Sequence, residues 1–312
     1  MTTGRFAPSP TGDLHVGNLR TALIAWLFAR SEGGRFLVRM EDLDRVQAGA
    51  EHEQAQLRDM AALGLDWDGE VVRQSERFHL YEAAIDRLTD AGLVYPCYCT
   101  RREIREASAA PHDGPTPDGA YPGTCRNLAD AERSDREAAG RPPALRLRAD
   151  VGEVTVDDEV LGSITALVDD VVLRRNDGLP AYNLTVVVDD HDQGVEEVVR
   201  GDDLLASTPR QVHLATLLGL TVPTYLHVPL VLGPDGSRLA KRHGDSRLCY
   251  YRRLGCTPQR ILGLIGFMCG AFGSRREADM NDLMEAFDIE RMSKSPVVFG
   301  PDDDAFLAGR KA

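Results

Sequence analysis

Near its N-terminus the chain runs from a short strand, through a turn with two prolines and a glycine, into a long helix; the connecting sequence at residues 8–18 is PSPTGDLHVGN. Leu19, Leu23, Trp26 and Leu27 fall on one side of that helix, which commits it to packing against a layer. A strand, a glycine-bearing turn and a helix N-terminus in this order form a β–α connection, and no other stretch narrows the fold so far. The same connection predicts an anion site, because unpaired N–H groups of a first helical turn and the helix dipole both point at the turn. His15 adds a donor there that can carry charge, and Gly17 follows it inside the turn.

The alternation continues. A strand at 3–7, helix at 16–31, strand at 35–40 and helices at 48–63 and 76–91 favour a parallel sheet covered by helices. From Tyr95 the texture changes: 108–123 (SAAPHDGPTPDGAYPG) reads as loop, and 133–143 is charged and ends in a Pro-Pro pair. Strand-like, mostly antiparallel segments are expected at 144–148, 153–160, 168–174 and 183–188. Alternation returns with strand 196–200, helix 206–219 and strand 226–231, and from Ser246 the chain reads as helices to its end. The expected organisation is a nucleotide-binding α/β fold in two halves, 1–94 and 191–245. Residues 95–190 are inserted between them, and a small helical domain at 246–312 follows. At 312 residues there is room for about two such domains.

A second motif lies at 229–244, PLVLGPDGSRLAKRHG. A tight turn (Gly233-Pro234-Asp235-Gly236) leads into Arg238, Lys241, Arg242 and His243, four groups able to neutralise a polyphosphate. An isolated KRHG would be a solvated surface loop; here it follows a strand of the alternating fold and holds one of only three lysines. The formal charge of −13 argues against broad non-specific nucleic-acid binding but leaves room for an RNA on a local basic face. No apolar run reaches membrane-spanning length and no signal pattern opens the chain, so a cytoplasmic protein with no membrane partner is expected. In that compartment Cys97, Cys99 and Cys125 suggest a metal site rather than disulfides. Tyr121 and His112 compete as a fourth ligand, while Cys249, Cys256 and Cys269 read as buried thiols.

PSPTGxLHxGN followed far downstream by a basic loop after a strand resembles the two signatures of class I aminoacyl-tRNA synthetases. RMEDLDR, GLPAYNLTVVVDDHDQGVEEVVRGDDLLASTPRQ and VPLVLGPDGSRLAKRHGD are similar, in order and spacing, to the glutamyl-tRNA synthetase branch, and the resemblance covers essentially the whole chain. It implies a Rossmann-type catalytic domain, with an inserted α+β zinc-bearing acceptor-binding-like subdomain and a C-terminal helical domain resembling a stem-contact domain. It implies an ATP site of Pro8, His15, Gly17, Asn18, Arg238 and Lys241, with His15, Gly17 and Lys241 catalytic. RMSKS at 291–295 looks more like the lysine signature than AKRHG, but it sits in the helical tail with no preceding strand to aim it, so Lys294 is taken as surface. The implied glutamate pocket is Arg5, Ala7, Ser9, Glu41, Tyr182 and Arg200. An arginine selects the side-chain carboxylate, Glu41 holds the ammonium, and Ser9 and Tyr182 supply hydroxyl groups.

Tyr-x-x-x-Cys at 121–125 resembles a short glutamyl-synthetase-like branch whose insertion carries a structural zinc, which implies Cys97, Cys99, Tyr121 and Cys125 as its ligands. Ending at Ala312, the chain also resembles that branch, the glutamyl-queuosine tRNA(Asp) synthetases, in lacking an anticodon-binding domain. The implied reaction is tRNA-independent activation of L-glutamate with ATP and Mg2+, then transfer to the queuosine base in the anticodon of tRNA(Asp), by a monomer. Two other readings share the sequence. One is a truncated glutamyl-tRNA synthetase charging the 3′ end of tRNA(Glu). The other is a non-catalytic zinc- and RNA-binding paralogue, which the intact His15, Gly17, Glu41, Arg200 and Lys241 argue against.

Overall fold

A computed structural model describes residues 2–44, 46–108, 120–239 and 246–310. The first third contains β1 (Thr3–Phe6), α1 (Val16–Ser31), β2 (Arg35–Met40), α2 (Ala50–Ala62), β3 (Val72–Arg73) and α3 (Phe78–Asp90). The middle contains β4 (Val94–Cys97), α4 (Arg101–Ser108), α5 (Asp130–Ala138), β5 (Ala144–Leu147), β6 (Glu153–Asp158), β7 (Gly162–Leu167), β8 (Val172–Arg174) and α6 (Tyr182–Asp192). Then come β9 (Glu197–Gly201), α7 (Thr208–Leu218), β10 (Thr224–Val228), β11 (Val231–Leu232), α8 (Leu248–Arg253), α9 (Pro258–Met268), α10 (Met280–Ala286), β12 (Val297–Val298) and α11 (Pro301–Leu307).

Seven strands form the main sheet in the order β3-β2-β1-β9-β10-β6-β7, parallel throughout except for the antiparallel edge strand β7. The chain starts in the middle, winds out through β2 and β3, and returns on the opposite side of β1 with β9. That reversal between β1 and β9 is a switch point, where the loops leaving the strands' C-terminal ends diverge and open a crevice. The hairpin β6–β7 comes from within residues 95–190 and is joined to this sheet by the pairing of Asp158 with Tyr225. A separate antiparallel sheet, β4-β5-β8, carries the rest of that interval.

Helix α1 lies at the centre of the largest core. Leu19, Leu23 and Leu27 are buried, whereas Trp26 is only partly covered and donates its indole N–H to Asp66 at 2.8 Å. Ile261, Leu262, Leu264 and Ile265 of α9 complete the same core, so the C-terminal helices are packed onto the first β–α unit.

Two expectations need correcting. The segment 183–188 is not a strand but the body of α6. All of Leu184 to Asp190 is buried, so the helix shows no polar face, and its Val-rich run mimics the pattern of an enclosed strand. The C-terminal region is also not helical throughout: Val297 and Val298 of β12 pair in parallel with Val231 and Leu232 of β11.

Candidate active site

A cleft of about 650 Å3 opens at the switch point. It is walled by the loop after β1, the start of α1, the end of β9 and the segment after β10. Arg5, Ala7, Pro8, Ser9, His15, Gly17, Asn18, Glu41, Tyr182, Arg200 and Arg238 all line it, which brings together residues spread over more than two hundred positions. Lys241, Arg242 and His243 lie outside the described residues. Lys294 is exposed and does not line the cleft.

Helix α2 pins the floor loop. The buried Gln56 donates its side-chain amide to the carbonyl oxygens of Ser9 (3.0 Å) and Gly12 (2.7 Å). Backbone bonds from Glu41 to Pro8 (2.9 Å) and from Gly49 to Pro10 (3.0 Å) fasten it further. Nothing in the sequence marks Gln56 beyond its being a polar residue on a helix.

His15 is the N-cap of α1. Its Nδ1 accepts from the N–H groups of Gly17 (3.1 Å) and Asn18 (3.3 Å), and Asn18 Oδ1 accepts from the His15 N–H in return (3.2 Å). Val16 N–H goes to Ser246 O and Leu19 N–H to His15 O, both at 3.0 Å. The first turn therefore offers its N–H groups to the protein itself, which corrects the expectation of free backbone donors. Burial also lowers the pKa of the imidazole, so at neutral pH it is uncharged. With Nδ1 occupied as an acceptor, the ring proton sits on Nε2, and His15 is a neutral donor rather than a cation. Gly17 is required by this cap: a Cβ there would stand 3.0 Å from the His15 ring.

At the other end of the cleft the two arginines are held differently. Arg5 is buried, donating Nε to Asp190 Oδ1 at 3.3 Å and Nη1 to Val199 O at 3.1 Å. Arg39, fully buried below it, lies 2.8 Å from Asp190 and 3.7 Å from Asp189. Burial pushes the Asp190 pKa up, but Arg39 and Arg5 outweigh it and keep Asp190 ionised. Glu41 stands 3.9 Å from Arg39; burial raises its pKa to about 7, with Asp190 and Asp189 adding to the rise and the arginines opposing it. Arg200 has no carboxylate partner among the described residues. Its Nε donates to His227 Nε2 at 3.0 Å and its Nη2 to Thr208 Oγ1 at 2.8 Å. Tyr182, the first residue of α6, faces the cleft, and burial raises its pKa, so it remains a phenol. Arg238 is exposed and pairs with Asp203 at 2.8 Å. Gly201, where β9 ends, leaves room for Asp203, whose Oδ1 would lie 2.5 Å from a Cβ at that position.

The cysteine cluster sits apart from the cleft. Sulfur atoms of Cys97, Cys99 and Cys125 lie within 4.8 Å of one another. The Tyr121 hydroxyl is 3.3 Å from Cys97 Sγ and 3.9 Å from Cys99 Sγ. Cys97, Tyr121 and Cys125 are buried in a small core of their own with Tyr95 and Tyr98. The hydrogen bond from Cys97 lowers the Cys125 pKa to about 6, and the same bond, with burial, raises Cys97 to about 12. Three soft sulfur donors and one phenol oxygen in a closed pocket fit a tetrahedral thiophilic metal. His112 lies outside the described residues. Of the other thiols, Cys256 and Cys269 are buried as expected, whereas Cys249 is half-buried and donates to Asp13 at 3.3 Å. Among the described residues no helix is long and apolar enough to cross a membrane.

Comparison with known proteins bears on this geometry. Residues 1–303 match the family model described as tRNA synthetases class I (E and Q), catalytic domain. The chain is 60% identical over 293 residues to a glutamyl-Q tRNA(Asp) synthetase of Nocardia farcinica, covering 94% of this chain and 91% of that one. A glutamate–tRNA ligase of Geotalea uraniireducens is 42% identical over 303 residues, covering 96% of this chain but 63% of its own length. The structure of a glutamate tRNA ligase from Elizabethkingia meningosepticum, in complex with its amino acid, superposes with a TM-score of 0.81 at 25% identity, covering 98% of this chain and 68% of that one.

Proposed function

From the chain's membership of the class I tRNA synthetase family for glutamate and glutamine, we propose that it activates L-glutamate with MgATP and transfers the glutamyl group to the queuosine base in the anticodon of tRNA(Asp). The observation that carries the first half is the cleft, where a neutral histidine donor, two buried arginines, a partly buried carboxylate and a phenol face one cavity at the switch point. The acceptor rests on the glutamyl-Q relatives, whose identity to this chain exceeds that of the glutamate–tRNA ligases.

In this reading Glu41 holds the substrate ammonium. Arg200, with Arg5 beside it, receives the side-chain carboxylate, and Ser9 and Tyr182 complete the pocket with hydroxyl groups. The α-carboxylate oxygen attacks the α-phosphorus in line, forming a P–O bond as the bond to pyrophosphate breaks. His15 Nε2–H, Lys241 and Arg238 balance the charge that gathers on the phosphate oxygens. Gly17 and Asn18 keep the histidine ring at its post, Ala7 lines the glutamate pocket, and Pro8 forms the wall beside the nucleotide. A hydroxyl of the queuosine diol then attacks the acyl carbon and AMP leaves. No protein nucleophile takes part, and RNA is not needed for the first step.

Zinc is the metal that suits Cys97, Cys99, Cys125 and Tyr121, and it would act as a structural cross-link in the subdomain that follows β4. The enzyme works as a cytoplasmic monomer.

The test is glutamate-dependent ATP–pyrophosphate exchange without RNA, followed by labelled glutamate offered to tRNA(Asp) with and without queuosine, and to tRNA(Glu). Exchange without RNA and labelling restricted to queuosine-bearing tRNA(Asp) is the expected result. Labelling of tRNA(Glu) alone overturns the acceptor, and absence of exchange overturns the activity.

A further inference from the structure

Arg5 and Arg200 face the same cleft, yet only Arg5 is matched with a carboxylate. Arg200 is 5% exposed, its hydrogen-bond partners are the uncharged His227 and Thr208, and its guanidinium stands 5.2 Å from the centre of the neutral Tyr225 ring. A carboxylate in the place of His227 would orient the guanidinium but also neutralise it, and would compete with any carboxylate that a ligand brought. An imidazole acceptor orients the same group and leaves its charge for the ligand.

His227 can accept at Nε2 only if its proton is on Nδ1, and the structure fixes that tautomer. Nδ1 lies 2.6 Å from Asp158 Oδ2, and the same oxygen accepts the His227 backbone N–H at 2.9 Å. Asp158 is itself anchored by the N–H groups of Val160 (3.1 Å) and Leu161 (2.9 Å) in the turn between β6 and β7. Thr208, at the first position of α7, accepts from Arg200 and donates to His227 Nε2 at 3.1 Å. His227 is fully buried and Asp158 nearly so, and neither lines the cleft. Thus a carboxylate on β6 fixes a ring on β10, and the ring sets the plane of an arginine on β9.

We propose that His227, held by Asp158, is a positioning residue that aims an uncompensated Arg200 at the ligand's side-chain carboxylate and thereby favours glutamate over its uncharged amide. This deepens the proposed activity and rests on it. It also gives a use to the β6–β7 hairpin, which joins the main sheet beside β10 from within the insertion.

The experiment measures exchange kinetics for the parent protein, His227→Leu and His227→Gln. Glutamine places its Oε1 where the imidazole Nε2 stands, whereas leucine offers no acceptor. His227→Leu should raise the KM for glutamate about tenfold, the loss of one charge-assisted hydrogen bond. It should leave the KM for ATP within about twofold and narrow the preference for glutamate over glutamine, and His227→Gln should recover most of the glutamate KM. In the parent protein, 15N shifts of the His227 ring should report a proton on Nδ1, a readout that needs neither activity nor a variant. A proton on Nε2, or a glutamate KM unmoved in His227→Leu, overturns this role. So does a parallel rise in both KM values, or a failure of the glutamine variant to recover. Absence of exchange in the parent protein overturns the activity, and this role with it.

Discussion

At the scale of single residues, the chemistry proposed for His15 shares one imidazole with a role in folding. Its Nδ1 closes the first turn of α1 and its Nε2–H is left for the cleft, so the two tasks are separable by substitution. His15→Asn should keep the cap, because asparagine is a favoured N-cap, and hold the melting temperature close to that of the parent while abolishing pyrophosphate exchange. His15→Ala should lose exchange and also about 1 kcal/mol of stability, read by urea denaturation. Glu41 gives a second expectation. Burial lifts its pKa to about 7, and an ammonium ligand binds the ionised form, so ligand binding must expel any proton. Calorimetric titration with glutamate should show affinity level above about pH 7 and weakening as pH falls below it, approaching tenfold per pH unit, with proton uptake by buffer accompanying binding. A pH-independent affinity between pH 6 and 8 would remove Glu41 from that role. These residues were legible in the sequence because their neighbours are motifs of fixed spacing. The neutrality of His15 was not, since it follows from the bonds made to Gly17 and Asn18 and from burial.

At the scale of elements, what failed in the sequence was α6, and the failure has a physical cause. TVVV offers β-branched residues in a row, and with Asp189 and Asp190 also buried the helix carries no exposed polar stripe to betray its period. The helix is held by its buried acids. Asp189 accepts from Gln74 (2.8 Å), Tyr81 (2.8 Å) and Arg77 (2.6 Å), tying α6 to α3 and the turn before it. Three donors and the nearby Arg39 would lose their acceptor in Asp189→Ala, for which we expect a destabilisation of about 3–5 kcal/mol by chemical denaturation. Asp192 bonds the same Arg77 at 2.5 Å from a half-exposed position, and Asp192→Ala should cost less than about 1 kcal/mol. Equal losses for the two would mean that burial does not set the value of these pairs. Strands β1, β2, β9 and β10, by contrast, were readable because glycine- and proline-bearing turns bound them, whereas the two-residue β3 left no pattern and β6, expected in the antiparallel insertion, pairs in parallel with β10.

At the scale of the whole molecule, two sheets carry two kinds of site. The cleft lies where β1 and β9 part in the seven-stranded sheet, and its lining includes none of the cysteines. The Cys97, Cys99, Cys125 and Tyr121 cluster hangs on the end of β4 in the three-stranded sheet, around a small core of five buried residues. A core of that size does not hold a subdomain together unaided, and the metal proposed for this cluster would supply the missing cross-link. The spacing of the cysteines made the cluster legible, but its distance in function from the cleft emerges only from the topology. Because α1, β1 and β9 owe nothing to that cross-link, stripping the metal should separate the two halves of the reaction. Protein treated with a chelator under reducing conditions should release one equivalent of zinc, and the segment around Tyr95 to Ala144 should become the first to exchange its amide hydrogens. Glutamate-dependent pyrophosphate exchange should persist at close to the starting rate, while transfer of glutamate to RNA falls steeply and returns when zinc is restored. Were exchange to fall in step with transfer, the metal would be supporting the catalytic sheet as well, and the division of labour between the two sheets would not hold.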